Sequence, residues 1–89
     1  MPLKRRTIFW EHRFLADLYR IQGDPIKADI FIEAVEKYLT LAADAGSRIY
    51  EGSPVFMVPS LEVRGFPKLT VFYTYNDTCV DCLSIHEFP

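Results

Sequence analysis

The sequence predicts an α+β domain: an N-terminal strand, an antiparallel helical hairpin, then a three-stranded antiparallel sheet. Three observations predict it. Apolar residues recur at helical spacing from about residue 11 to residue 45. Pro54, Pro59 and Pro67 then forbid a long helix. Strand-like alternation around a polar turn fills the C-terminal third. With 89 residues and 49% hydrophobic content, the chain supports one small domain over residues 1–89 with a modest core.

The first strand is expected over residues 4–10, with Ile8 and Trp10 on one face and Thr7 and Phe9 on the other. A helix follows from about Glu11 to Ile21. Phe14, Leu15, Leu18 and Tyr19 fall at helical intervals, and Arg13, Asp17 and Arg20 lie outside them. Gly23 ends it. Asp24 is a good N-cap and Pro25 suits the first turn of the next helix, which should run to about Ala45. Ile30, Phe31, Ala34, Val35, Tyr38, Leu41 and Ala42 form its wide apolar stripe. Glu33 and Lys37 make an i,i+4 pair outside it, and Gly46 is the natural stop.

Residues 47–59 read as a loop with a short extended piece at Val55–Val58. Ser60–Phe66, Lys68–Tyr75 and Thr78–His86 are the three strands of the sheet. Leu69, Val71, Tyr73 and Tyr75 share one face of the middle strand, and Asn76-Asp77 supplies the turn into the last.

Composition narrows the function classes. No stretch reaches the roughly 18–20 apolar residues that span a membrane. Glu11, His12, Arg13 and Asp17 interrupt any apolar run after the basic start, so no secretory signal and a cytoplasmic location are expected. The net charge of −2 is uneven: residues 1–20 balance at +3 and residues 21–89 at −5. A protein that grips nucleic acid by its phosphates usually carries a strong basic excess. Here only the N-terminal end is basic, enough to meet an acidic partner.

Cys79 and Cys82 spell C-x-x-C, the spacing of a redox pair or half a zinc site. The chain has no other cysteine to complete a zinc site, and residues three apart on a strand point to opposite faces. Two semi-buried thiols are the favoured reading, with no metal and no cofactor.

The segment Val63-Arg64-Gly65-Phe66-Pro67-Lys68-Leu69-Thr70-Val71-Phe72-Tyr73-Thr74-Tyr75 resembles the central hairpin of ParE-type toxins, where an arginine-bearing strand turns into one ending in Ile/Val-Phe-Tyr. Cys82-Leu83-Ser84-Ile85-His86 is similar to the family's last strand. Ile8-Phe9-Trp10 and Phe14-Leu15-Ala16-Asp17-Leu18 resemble its first strand and first helix. The pattern covers nearly the whole chain and resembles the RelE/ParE superfamily of type II toxin–antitoxin systems, closer to ParE-like than to RelE-like members. Where the family commonly continues past the His with basic residues, this sequence reads Glu87-Phe88-Pro89.

The resemblance implies a toxin neutralised by a cognate antitoxin, whose helix or extended tail wraps an uncovered apolar groove. Val55, Phe56, Met57, Val58, Phe72 and Phe88 are the candidate binding residues. The alternative for the run at 55–58 is packing onto the helices as core. ParE-like members are implied to poison DNA gyrase by binding. RelE-like members are implied to cleave messenger RNA on the ribosome, which needs a base and cations around a phosphate. Thr70 stands where RelE-like chains carry a central arginine. Arg64, Lys68 and His86 are the candidates for that chemistry; ordinary solvated side chains, with Arg64 paired to Glu62 or Glu51, are the alternative. The third reading is a non-toxic interaction module on the same scaffold.

Overall fold

The computed structural model describes residues 5–64 and 66–87, with the backbone alone at Pro59 and Ser60. The elements run β1 (Thr7–Trp10), α1 (His12–Ile21), α2 (Pro25–Ala42), a single 3-10 turn (Ala43–Ala45), β2 (Ser47–Arg48), β3 (Phe56–Leu61), β4 (Leu69–Tyr75) and β5 (Cys79–Glu87). The sheet has five strands in the order β1-β5-β4-β3-β2. It is mixed: β1 lies parallel to β5 at one edge, and the other pairs are antiparallel. The expected three-stranded antiparallel sheet is corrected on two counts. The N-terminal strand is a member of the sheet, and a two-residue strand forms the far edge.

Physical reasons for both additions lie in the residues. Alternate residues of β1 match alternate residues of β5: Ile8 pairs with Val80 and Trp10 with Cys82, all turned toward the core. The helical pair carries the chain back across the sheet, so this pairing is parallel. At the other edge, Ser47 and Arg48 pair with Met57 and Phe56.

The strand expected at Ser60–Phe66 begins earlier, at Phe56, because Phe56 and Val58 alternate in step with Tyr73 and Val71 opposite. The register slips between Val58 and Leu61, where Pro59 has no N–H to give the ladder. Residues 62–64 leave the sheet, and a turn bond runs from the Phe66 N–H to the Val63 carbonyl at 3.0 Å. A second slip, between Phe72 and Tyr73, leaves Leu83 as the extra residue on β5.

The core lies between the helices and one face of the sheet. Phe14 and Leu18 of α1 and Ala28, Phe31, Val35 and Leu39 of α2 meet Leu69, Val71, Tyr73, Val80, Cys82 and Ile85. Asp24 caps α2 as expected, its carboxylate accepting the Ile26 N–H at 2.9 Å. The α-helix ends at Ala42, and the 3-10 turn carries it to Ala45.

Gly46 serves a different purpose from the expected helix stop. Its φ of −72° suits any residue. A Cβ there would collide with the Tyr73 hydroxyl and come within 2.9 Å of the ring's Cζ. Tyr73 is fully buried and donates its hydroxyl to the Ala43 carbonyl at 2.5 Å. Gly46 thus leaves room for the hydrogen bond that ties the end of the helical segment to the sheet.

The wide stripe expected on α2 is also corrected. Phe31 and Val35 are buried, but Ile30, Tyr38 and Leu41 are exposed. Among the described residues Glu33 and Lys37 make no ion pair, and the pairs present are Arg13–Asp17, Arg20–Asp17 and Lys68–Glu62. Among the described residues no helix is long and apolar enough to cross a membrane.

Candidate functional site

Successive residues of a strand face opposite ways, so the residues between the core positions form a second face with no helix on it. Met57 of β3 pairs with Phe72 of β4, and Phe72 with Ser84 of β5. Thr70 pairs with His86. The Phe72 and His86 rings meet edge to face, 5.3 Å between centroids. At the β1 edge of the same face, Phe9 pairs with Asp81 and is 55% exposed. This face therefore mixes aromatic, apolar and small polar side chains.

The candidate binding residues divide between the two faces. Met57 and Phe72 come together on the open face, both half-buried. Phe56 and Val58 turn inward and pack against the core, which is the alternative the sequence left open for that run. Phe56 also stacks on Tyr73 and meets the edge of Tyr75. Val55 is half-buried and closes the β2–β3 connection, its N–H donating to Ser53 Oγ at 3.0 Å. Phe88 lies outside the described residues.

Of the candidate nuclease groups, Lys68 and His86 lie at the same end of the sheet, because Lys68 directly precedes β4 and His86 pairs with Thr70. Lys68 carries an ion pair to Glu62 at 3.3 Å, with both side chains more than half exposed. Glu62 thus pairs with Lys68, not with Arg64, which is exposed in the turn before β4.

Two arginines are fixed on aromatic rings instead. Arg6 lies over Tyr75 at 5.0 Å and donates from Nε to the Asn76 carbonyl at 2.7 Å. Arg48 lies over Phe56 at 4.7 Å and donates to the Ser53 carbonyl at 2.5 Å. The strand register supplies these contacts: Tyr75 ends β4, and Phe56 faces Arg48 across β2–β3.

The cysteines are too differently placed to act together. Cys79 pairs with Thr7 and Cys82 with Trp10, on opposite faces, and both thiols are free. Burial pushes the Cys82 thiol up to about 12, and the nearby Asp81 charge adds to the shift. At the start of α1, a hydrogen bond to Asp81, followed by the like charge of that carboxylate, raises the Glu11 carboxyl above its ordinary value. Among the described residues no group of three His, Cys, Asp or Glu side chains could hold a metal ion.

The sequence reading missed Phe9, whose exposure follows from its place opposite Ile8 and Trp10 on an edge strand. It also missed the exposed flank of α2. The signal there was an apolar spread wider than one helix face can bury.

No protein-family profile matches the chain, and no curated protein matches it in sequence. A solved structure does: the chain is similar to one described as the chromosomal ParDE TA (toxin–antitoxin) system from P. aeruginosa. The identity is 22%, the TM-score is 0.62, and the match covers 97% of this chain and 99% of that one. The chain therefore has the fold of a chain from a ParDE toxin–antitoxin system, in agreement with the resemblance that its sequence carries to the RelE/ParE toxins.

Proposed function

We propose that this chain is the toxin of a type II toxin–antitoxin pair, ParE-like, which inhibits DNA gyrase by binding and is neutralised by a cognate antitoxin. The observation that carries the reading is a shared fold over nearly the full length of both chains, reached independently of the sequence pattern. An open sheet face with apolar groups at Met57, Phe72 and Phe9 supports a protein that acts by contact. The antitoxin covers the Met57–Phe72 end of this face, with Val55 at its margin.

Induced expression of the chain alone tests the function. Growth arrest with induced DNA damage and uncut transcripts is expected, together with inhibition of supercoiling by purified gyrase. Arrest with cleaved transcripts would replace the gyrase reading with a ribosome-dependent endoribonuclease, and undisturbed growth would leave a non-toxic interaction module. Phe72→Glu tests the partner surface: co-expressed antitoxin should no longer rescue growth, and continued rescue would move its seat elsewhere.

A further inference from the structure

Helix α2 is apolar on two sides. Ala28, Phe31, Val35 and Leu39 enter the core. Next to them, Ile26 (74% exposed), Ile30 (50%), Tyr38 (37%) and Leu41 (42%) face solvent, with half-buried Ala34 between. These five fall at i, i+4, i+8, i+12 and i+15, which places them in one sector of the helix surface. A helix with a second apolar sector is built to lie between two bodies, and only one of them is the core of this chain.

The stripe complements itself. Ala34 lies at its centre, with two large side chains toward each end. A second α2 crossing antiparallel at Ala34 sets Ile30 against Tyr38 of the other copy, and Ile26 beside Leu41. The small side chain at the crossing lets the two backbones approach. Because such contacts are two-fold, each is made twice.

Charge follows the same symmetry. Glu33 and Lys37 border the stripe one turn apart and form no ion pair among the described residues. In the antiparallel crossing, Glu33 of each copy comes beside Lys37 of the other. The four large side chains leave on the order of 400 Å² of apolar surface per copy, about half of what a standard interface buries on each partner. A contact of that size lies below the standard range, which fits weak, reversible association.

We propose that the exposed flank of α2 is the interface of a two-fold dimer of this chain, with Ile30 and Tyr38 as its apolar contacts and Glu33–Lys37 as its reciprocal ion pairs. The proposal does not depend on the toxin reading. Sedimentation equilibrium of the full chain tests it, over two decades of concentration through the micromolar range. The apparent mass should rise from the 10.3 kDa of one copy toward twice that value. Ile30→Glu should hold the chain monomeric with an unchanged circular dichroism spectrum. Glu33→Lys should weaken association about fivefold, and Glu33→Lys with Lys37→Glu should restore it. A chain monomeric throughout overturns the proposal and leaves the flank to another protein's helix. Association indifferent to Ile30→Glu, or not restored by the charge exchange, overturns it as well.

Discussion

Tyr73 shows how much one residue can hold. Its ring is core, its hydroxyl bonds the Ala43 carbonyl, and Gly46 is small because that hydroxyl is there. Tyr73→Phe should cost about 1–2 kcal/mol, since a buried carbonyl loses its donor. Gly46→Ala should be destabilising in the wild type and less so in the Tyr73→Phe background, where the colliding hydroxyl is gone; urea unfolding of the four chains in a double-mutant cycle reads the coupling. The same burial raises Tyr73 from its ordinary 10.0 to about 12, and Cys82 from 9.0 to about 12. Both groups hold their protons more tightly in the folded chain. Stability from this source is complete below pH 9 and is lost as pH rises toward 12, beginning with Cys82. Melting temperature followed from pH 8 to pH 11 should therefore fall. A thiol-specific reagent should modify Cys79 in the folded chain and reach Cys82 only on unfolding. Glu11 shifts in the same sense, through the hydrogen bond to Asp81 first and the like charge of that carboxylate second. Its raised pKa means that the folded chain is weakened as pH rises past the ordinary carboxylate value and Glu11 ionises beside Asp81. Glu11→Gln should raise the melting temperature at pH 7, with the gain shrinking at acid pH. A gain that does not change with pH would mean that carboxyl repulsion is not its source.

Among the elements, α2 is the one whose sequence was both clearest and most misleading. Asp24-Pro25 marked its start because the cap chemistry is local: a carboxylate accepts an N–H two residues on, and proline needs no donor there. Asp24→Ala should cost about 1 kcal/mol, measured by thermal or urea unfolding. Its buried face was harder to read. Ile30, Tyr38 and Leu41 are as apolar as Phe31 and Val35, and spacing alone cannot say which sector meets the sheet. The β4–β5 hairpin was legible for the same reason as the cap, since Asn76-Asp77 and two alternating strands lie within twenty residues. The pairing of β1 with β5 was not, because Thr7 and Cys79 are far apart in sequence and nothing local records that they meet. Strand Phe56–Leu61 joins most of the extended piece expected at Val55–Val58 to the start of the strand expected at Ser60–Phe66, and only its partner Leu69–Tyr73 fixes where it begins and ends. The site was legible in part. Phe72 was placed on the open face by simple alternation, but its neighbour Met57 needed the cross-strand register.

On the scale of the whole molecule, the sheet has one face closed by two helices and one face open, and chemistry on the open face depends on what converges there. Cleavage through a 2′-hydroxyl requires a proton acceptor and cations gathered on one phosphate. Lys68 is already paired with Glu62, the His86 ring is set edge-on to Phe72, and Arg64 belongs to the turn before β4. The central position at Thr70, where RelE-like chains are implied to carry an arginine, is a buried side chain with no charge. The charge of the chain adds to this: −2 overall, with its basic excess confined to the N-terminal end, gives little attraction to ribosomal RNA. A chain acting by contact should tolerate loss of these groups. Arg64→Ala with His86→Ala changes two exposed side chains, so folding stability should stay within about 0.5 kcal/mol of the wild type. Under the gyrase reading, induced expression of this double variant should arrest growth as strongly as the wild type and leave transcripts intact. A folded double variant that no longer arrests growth, when the wild type does, would return Arg64 and His86 to the centre of the mechanism.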